Sequence, residues 1–370
     1  MDRSLEPIVY LDIGTSFVKA THLSSKWKAL VPGDKFASTK TYNFPRFALS
    51  RIDTAETEND ITEGVESAFG ELFKSIKSKS IEDYPEFDNP KLRKKDRFHI
   101  MQLMYNLMNG IVHTKGADMC PLILTEKLNT TTKQRAKVFE YVFETMNVPG
   151  LYLTSTPVLT LFSESRDTGM VIEASESTTH VISIKDGYAL RNFLGEYSRV
   201  GFDVTRELMS RAGNDVWDNL NPYERCTVSL IRDGAIQPTY PLEHITKDHL
   251  EKAVNEVYFP SGGKSVVEEI HATITRTTEK LISFTNMFDN LTISGGIASI
   301  AGLDNKIIFN LNSRNDKILA KLIPRKATYK YAAPIIGARM LAAVPGFRDI
   351  MSTKTKYYER GAEHLAGKIA

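Results

Sequence analysis

Apolar positions along this chain recur in two ways, and the switch between them predicts strands alternating with helices. Short continuous runs read as buried strands: Ile8-Val9-Tyr10-Leu11, Pro121–Thr125, Gly150–Leu153 and the run Leu291-Thr292-Ile293. Longer stretches with apolar residues at spacings of three and four read as helices. These are Ile61–Ile76 behind an Asn59 or Asp60 N-cap, His99–Val112, Thr132–Met146, Gly201–Ala212, Ile245–Val257, Val266–Phe284 and Pro334–Ala343. Pro157–Ser163 reads as a shorter helix, Ile307–Phe309 as a short strand, and Tyr188–Tyr197 as a continuing strand pattern. Ser24–Asn43 reads as loop with short strand pieces. Lys77–Lys95, with Pro85 and Pro90, reads as an exposed loop or insertion, and the tail from Thr353 as a solvated terminus. Strands and helices in alternation indicate an α/β fold.

Two places read as hairpins with polar tips. In Tyr10–Ala20 an apolar run ends in Asp12, turns through Gly14-Thr15-Ser16 and leaves through a second run carrying Lys19. Such a turn exposes backbone N–H groups that can cradle a phosphate, with the hydroxyls and Lys19 as further donors. A plain polar hairpin tip explains the same stretch. The second hairpin joins Gly169–Ala174 to Thr179–Ile184 through Ser175-Glu176-Ser177-Thr178, and late in the chain a strand runs into the glycine turn Ser294-Gly295-Gly296.

Composition narrows the picture only a little. With 370 residues and 42% apolar side chains, the chain is long enough for two domains or one bilobed unit. A net charge of +2 predicts neither nucleic-acid nor membrane binding, and the basic run Lys91-Leu92-Arg93-Lys94-Lys95 reads as solvated surface. The two cysteines, Cys120 and Cys226, lie far apart, which argues against a zinc site or a disulfide framework. No apolar run reaches the roughly 18 residues of a membrane span. The first residues show no secretory or transit pattern. The expectation is an intracellular protein, cytoplasmic or cytoskeletal, with a nuclear or mitochondrial complex left open.

Two polar hairpins and a late Ser-Gly-Gly turn form the layout of a nucleotide clamp, and several stretches in order resemble the actin family. L-D-I-G-T-S-F-V-K-A is similar to its first phosphate loop, and G-M-V-I-E-A-S-E-S-T-T-H-V-I-S-I-K-D-G-Y-A-L to its second. L-I-L-T-E-K-L-N, G-F-D-V-T-R-E-L, L-T-I-S-G-G-I-A-S-I-A-G and P-I-I-G-A-R-M-L-A follow in family order, while Thr21–Met119 matches poorly. The resemblance implies an α/β fold of the actin/Hsp70/hexokinase superfamily. Two lobes would flank a nucleotide cleft: residues 1–160 with the returning 335–370, and residues 161–334. ATP or ADP with Mg²⁺ would sit between them, or the cleft would be empty. Asp12, Gly14, Thr15, Ser16 and Lys19 are the implied first-loop residues, and Glu173, Ser175 and Glu176 the second-loop ones. Arg232 and Asp233 stand where the family places a Lys-Glu pair by the adenine, Ser294, Gly295 and Gly296 form the adenosine turn, and Asp12 and Glu173 are the implied metal-side acids.

The departures from the family pattern carry the functional expectation. Glu173-Ala174-Ser175-Glu176-Ser177 replaces an acid–Ser–Gly–Asp–Gly turn, so both glycines are gone and both acids are longer by a methylene. A turn without glycine does not freely take positive φ. Thr156 stands where the family has the glutamine that orients the attacking water, and it is too short for that role, with Pro157 stiffening the turn. Efficient hydrolysis is therefore not expected, because water positioning supplies the rate. If Ile61–Ile76 matches the helix after actin's small second subdomain, that subdomain is reduced and 77–119 is an insertion.

These readings predict a structural subunit among other proteins of a large assembly, with no direct nucleic-acid contact and no homopolymerisation expected. A working actin-like ATPase that forms or caps filaments, such as a dynactin-type pointed-end protein, is the alternative. A sugar kinase would need a catalytic aspartate and sugar-binding residues that the chain lacks. Phe259–Ser265 only ends like a phosphate-binding loop, and His180 and His271 read as structural, although His180 matches a family position beside the phosphate loop.

Overall fold

In the computed structural model the first hairpin forms where the apolar pattern places it. The structure describes residues 8–14, 17–23, 42–45, 101, 120–197, 201–213, 228, 231–232, 242–262, 265–280, 291–314 and 327–369. The expected helix Ile61–Ile76, the 77–119 insertion and the reduced second subdomain lie outside the described residues, apart from Met101, which is helical and buried. The chain divides into two compact units, passing from the first to the second between Thr156 and Pro157 and back between Gly337 and Ala338.

Unit 1 is built on a six-stranded mixed sheet. Strand β1 (Ile8–Ile13) pairs antiparallel with β2 (Phe17–Leu23), whose other edge takes β3 (Tyr42–Pro45). On its other side β1 runs parallel to β4 (Leu122–Glu126), and β4 runs parallel to β5 (Gly150–Ser155); Ser352–Thr353 closes that edge antiparallel. All five residues of β4 are buried, as a run without alternation requires when both faces are covered. Between β4 and β5 lies α1 (Thr132–Glu140). It starts at a capping box, in which Thr131 accepts from the Gln134 N–H and the Gln134 side chain accepts from the Thr131 N–H. The predicted helix to Met146 continues as a wider π-helical turn over Tyr141–Thr145, so Val142 and Phe143 stay on the apolar face.

Unit 2 begins with α2 (Thr156–Phe162) and a second mixed sheet. Strand β6 (Gly169–Ala174) pairs antiparallel with β7 (Thr179–Lys185), and β10 (Leu291–Ser294) lies parallel beside β6. The strand expected over Tyr188–Tyr197 is interrupted. It forms β8 (Tyr188–Ala189) and β9 (Gly195–Tyr197), both on β7, separated by a 3₁₀ turn at Arg191–Phe193. A turn at Asp186-Gly187 brings β8 back onto β7, and the 3₁₀ turn then carries the chain along the same strand to β9. Helices α3 (Gly201–Ala212), α4 (Lys247–Tyr258), α5 (Val266–Lys280) and α6 (Leu303–Arg314) share one apolar core with β6, β7 and β10. The short strand expected at Ile307–Phe309 is thus corrected to the middle of α6. Leu303, Ile307 and Leu311 recur at four and are buried, while Phe309 is exposed. Three successive apolar residues can be read either way until a packing partner selects the period.

Helix α7 (Ala327–Ala342) starts before the expected Pro334 and carries that proline inside it. The buried flanks Ala333, Ile335 and Ile336 hold the helix through the lost hydrogen bond. The tail corrects the expectation of a solvated terminus. After α8 (Phe347–Ile350) and β11 (Ser352–Thr353), helices α9 (Lys354–Arg360) and α10 (Ala362–Gly367) pack into unit 1. Tyr357, Leu365 and Ala366 join the core formed by Phe139 and Phe143, and α10 lies along α1. Burial, and the Glu144 carboxylate that accepts a hydrogen bond from its hydroxyl, push the Tyr357 phenol well above the usual range, so it stays a neutral donor. Leu365→Ala is expected to cost about 2–4 kcal/mol, the usual range for an emptied core position. An unchanged urea midpoint would return this tail to the surface.

Candidate functional sites

In both units polar side chains gather where parallel strands end, which is where open α/β sheets bind their ligands.

In unit 1 the carboxyl ends of β1, β4 and β5 present Asp12, Thr125, Glu126 and Ser155. Register sets Asp12 opposite Lys19 across the first hairpin, and Lys19 Nζ donates to Asp12 Oδ2 at 3.0 Å. Thr125 Oγ1, 113 positions away in sequence, donates to the other Asp12 oxygen at 2.7 Å. The buried acid is therefore held in a defined orientation and its charge is compensated. Gly14 follows it, while Thr15 and Ser16 lie outside the described residues. Glu126 is a buried acid that sequence reasoning did not single out. It accepts two bonds from Arg135 Nε, at 2.8 and 3.0 Å, so it anchors α1 to β4. Ser155 differs from these. It is buried, and its hydroxyl has no hydrogen-bond partner. Thr156 is the first residue of α2, with Pro157 in the first turn, where a missing N–H is tolerated. The position is thus built as a helix start.

In unit 2 register places Ser294, Glu173, His180 and Glu196 in one row across β10, β6, β7 and β9. His180 Nδ1 lies 3.7 Å from Glu173 and Nε2 lies 3.6 Å from Glu196, too far for hydrogen bonds. Ser294 Oγ and His180 Nδ1 are buried without a hydrogen-bond partner, and this polar row ends a sheet face that also carries the buried Val171, Ile182 and Ile184, while the opposite face belongs to the helix-packed core. Beside it Gly295 turns with φ +98°, and a Cβ there would meet the Ala174 carbonyl oxygen at 2.1 Å. Only glycine lets this turn lie against the root of the second hairpin. Gly296 starts the 3₁₀ turn Ile297–Ser299.

The second hairpin closes from Ser175 N–H to the Thr178 carbonyl at 3.0 Å. Among the described residues, positive φ outside glycine occurs at Asn147, Ser165 and Asp186, so Ser175, Glu176 and Ser177 turn without it. That is the behaviour the lost glycines led us to expect. The tip carbonyls of Ser175 and Glu176 accept from the N–H groups of Gly201 and Phe202 at 3.1 and 2.9 Å, satisfying two orphan donors of α3. Glu176 also accepts from Arg232 Nη1 at 2.7 Å. The structure thus brings Arg232 and Glu176 together, a pairing the sequence did not suggest; Asp233 lies outside the described residues. Among those residues no cluster of three or more His, Cys, Asp or Glu side chains is arranged to hold a metal ion, and no helix is long and apolar enough to cross a membrane.

The family model described as Actin matches residues 94–216. The matched stretch carries β4, α1, β5, the whole second hairpin and α3. Over that stretch the chain is similar to the actin and actin-related family, and its mixed sheets flanked by helices fit an α/β actin-like fold.

Proposed function

We propose that this protein is an actin-family structural subunit of a larger protein assembly, in which an adenine nucleotide serves as a clamp rather than as a substrate that turns over. The observation that carries the reading is the set of buried, unpartnered polar atoms at the strand ends: Ser155 Oγ in unit 1, and Ser294 Oγ and His180 Nδ1 in unit 2. Buried hydroxyls and ring nitrogens are ordinarily bonded, so unpaired ones at the strand ends of each unit, where α/β sheets bind ligands, fit a hydrogen-bonding ligand. The Gly295 turn supports the same reading, since it allows close backbone approach. When bound, the nucleotide would contribute stability by linkage, and its Mg²⁺ would be held through water by Asp12 and Glu173.

Retention without turnover is supported by three local features. Thr156 offers a short hydroxyl at a helix start where the family uses an amide. Asp12 is already bonded by Lys19 and Thr125, and Glu176 by Arg232. These acids are fixed rather than poised to activate water.

The test is to denature the native protein and identify released nucleotide by chromatography, then to follow phosphate release in a single turnover with bound ATP. ATP recovered intact, with no phosphate burst, is the expected result. Phosphate release at an actin-like rate would replace this reading with the ATPase alternative, and an empty protein that binds neither ATP nor ADP would remove the nucleotide from it.

A further inference from the structure

Among the described residues of unit 2, the most deeply enclosed basic side chain lies beside the second hairpin and contacts its acid. We propose that Arg232 is a positioning residue that cancels the charge of Glu176, making the site indifferent to the terminal phosphate of a bound nucleotide. This rests on the nucleotide reading above.

The Arg232 side chain is 2% exposed, and its Nη1 donates to Glu176 Oε2 at 2.7 Å, to the Gly201 carbonyl at 2.8 Å and to Thr205 Oγ1. One nitrogen thereby links the hairpin tip to the first turn of α3. A guanidinium enclosed in this way does not stack on a base, so its role differs from the adenine contact implied by family position. The tip backbone is held by the same helix through the Gly201 and Phe202 N–H groups. Glu176 is therefore fixed at both its backbone and its carboxylate and cannot swing away from an approaching phosphate.

Charge decides what this does. An unpaired carboxylate at the tip would repel a triphosphate more than a diphosphate, because the former carries more negative charge. Paired at 2.7 Å, the two side chains form a dipole whose field falls off faster than that of a lone charge. ATP and ADP are then held with comparable affinity, as suits a clamp.

The experiment measures dissociation constants for ATP and ADP, each with Mg²⁺, on the nucleotide-stripped full chain. Arg232→Met is expected to shift the ATP-to-ADP preference by about tenfold or more toward ADP, and Glu176→Gln to shift it about as far toward ATP. The double variant should return to the parent ratio. If Arg232→Met does not fold, Glu176→Gln alone decides. Equal losses for both nucleotides in these variants would reveal a merely structural pair and overturn the proposal while leaving the nucleotide reading intact. A parent chain that binds neither nucleotide would overturn both.

Discussion

Lys330→Met is expected to destabilise unit 2 by about 3–5 kcal/mol, because it strands a buried carboxylate. Lys330 and Asp304 are both nearly inaccessible, and Lys330 Nζ donates to Asp304 Oδ2 and, at 3.0 Å, to the Ala298 carbonyl. The pair fastens α7 to the start of α6 and to the turn that follows Ser294-Gly295-Gly296. Among the described residues, removing the cation leaves Asp304 with the Asn305 N–H at 2.8 Å. A buried carboxylate left without its cation costs stability. Removing both charges, in Lys330→Met with Asp304→Leu, should recover most of the loss, since a buried ion pair contributes little over well-packed apolar groups. Hydrogen exchange at the β6 and β10 amides would localise the effect. A single variant with parent-like protection there would show that the pair is solvated and of no consequence.

Gly337→Ala is the second large effect, expected on the order of 4 kcal/mol, through overpacking rather than charge. At Gly337 helix α7 crosses α2 so closely that an added Cβ would lie 1.7 Å from the Leu159 carbonyl oxygen and 2.6 Å from its carbon. Backbone cannot move aside as a flexible side chain would, so one of the two helices must shift. Because α2 leads from Thr156 into unit 2, such a shift would also disturb Thr156. Calorimetry should show a lower unfolding temperature. A melting temperature equal to that of the parent chain would mean that the helices separate at no cost, and that the close crossing is not what holds them.

What the amino-acid sequence determined by itself was whatever depends on neighbours along the chain. The β1–β2 hairpin, the β6–β7 hairpin with its four-residue tip, the fully buried β4, and α3 over Gly201–Ala212 follow from local period and turn chemistry. The actin resemblance was legible because its motifs are local runs in a fixed order. The tertiary structure decided what depends on distant partners. Ile307–Phe309 became helix once Leu303, Ile307 and Leu311 found one core to face. The polar tail became core because Tyr357, Leu365 and Ala366 meet α1, more than two hundred positions upstream, as the Tyr357–Glu144 bond with its separation of 213 illustrates. Among the site residues, Asp12, Glu173 and Ser294 were named from motif position, yet their surroundings were not legible. Arg232 shows why. Its acid lies 56 positions away, and a charge pair leaves no periodic trace in either stretch, since burial and geometry alone select the partner.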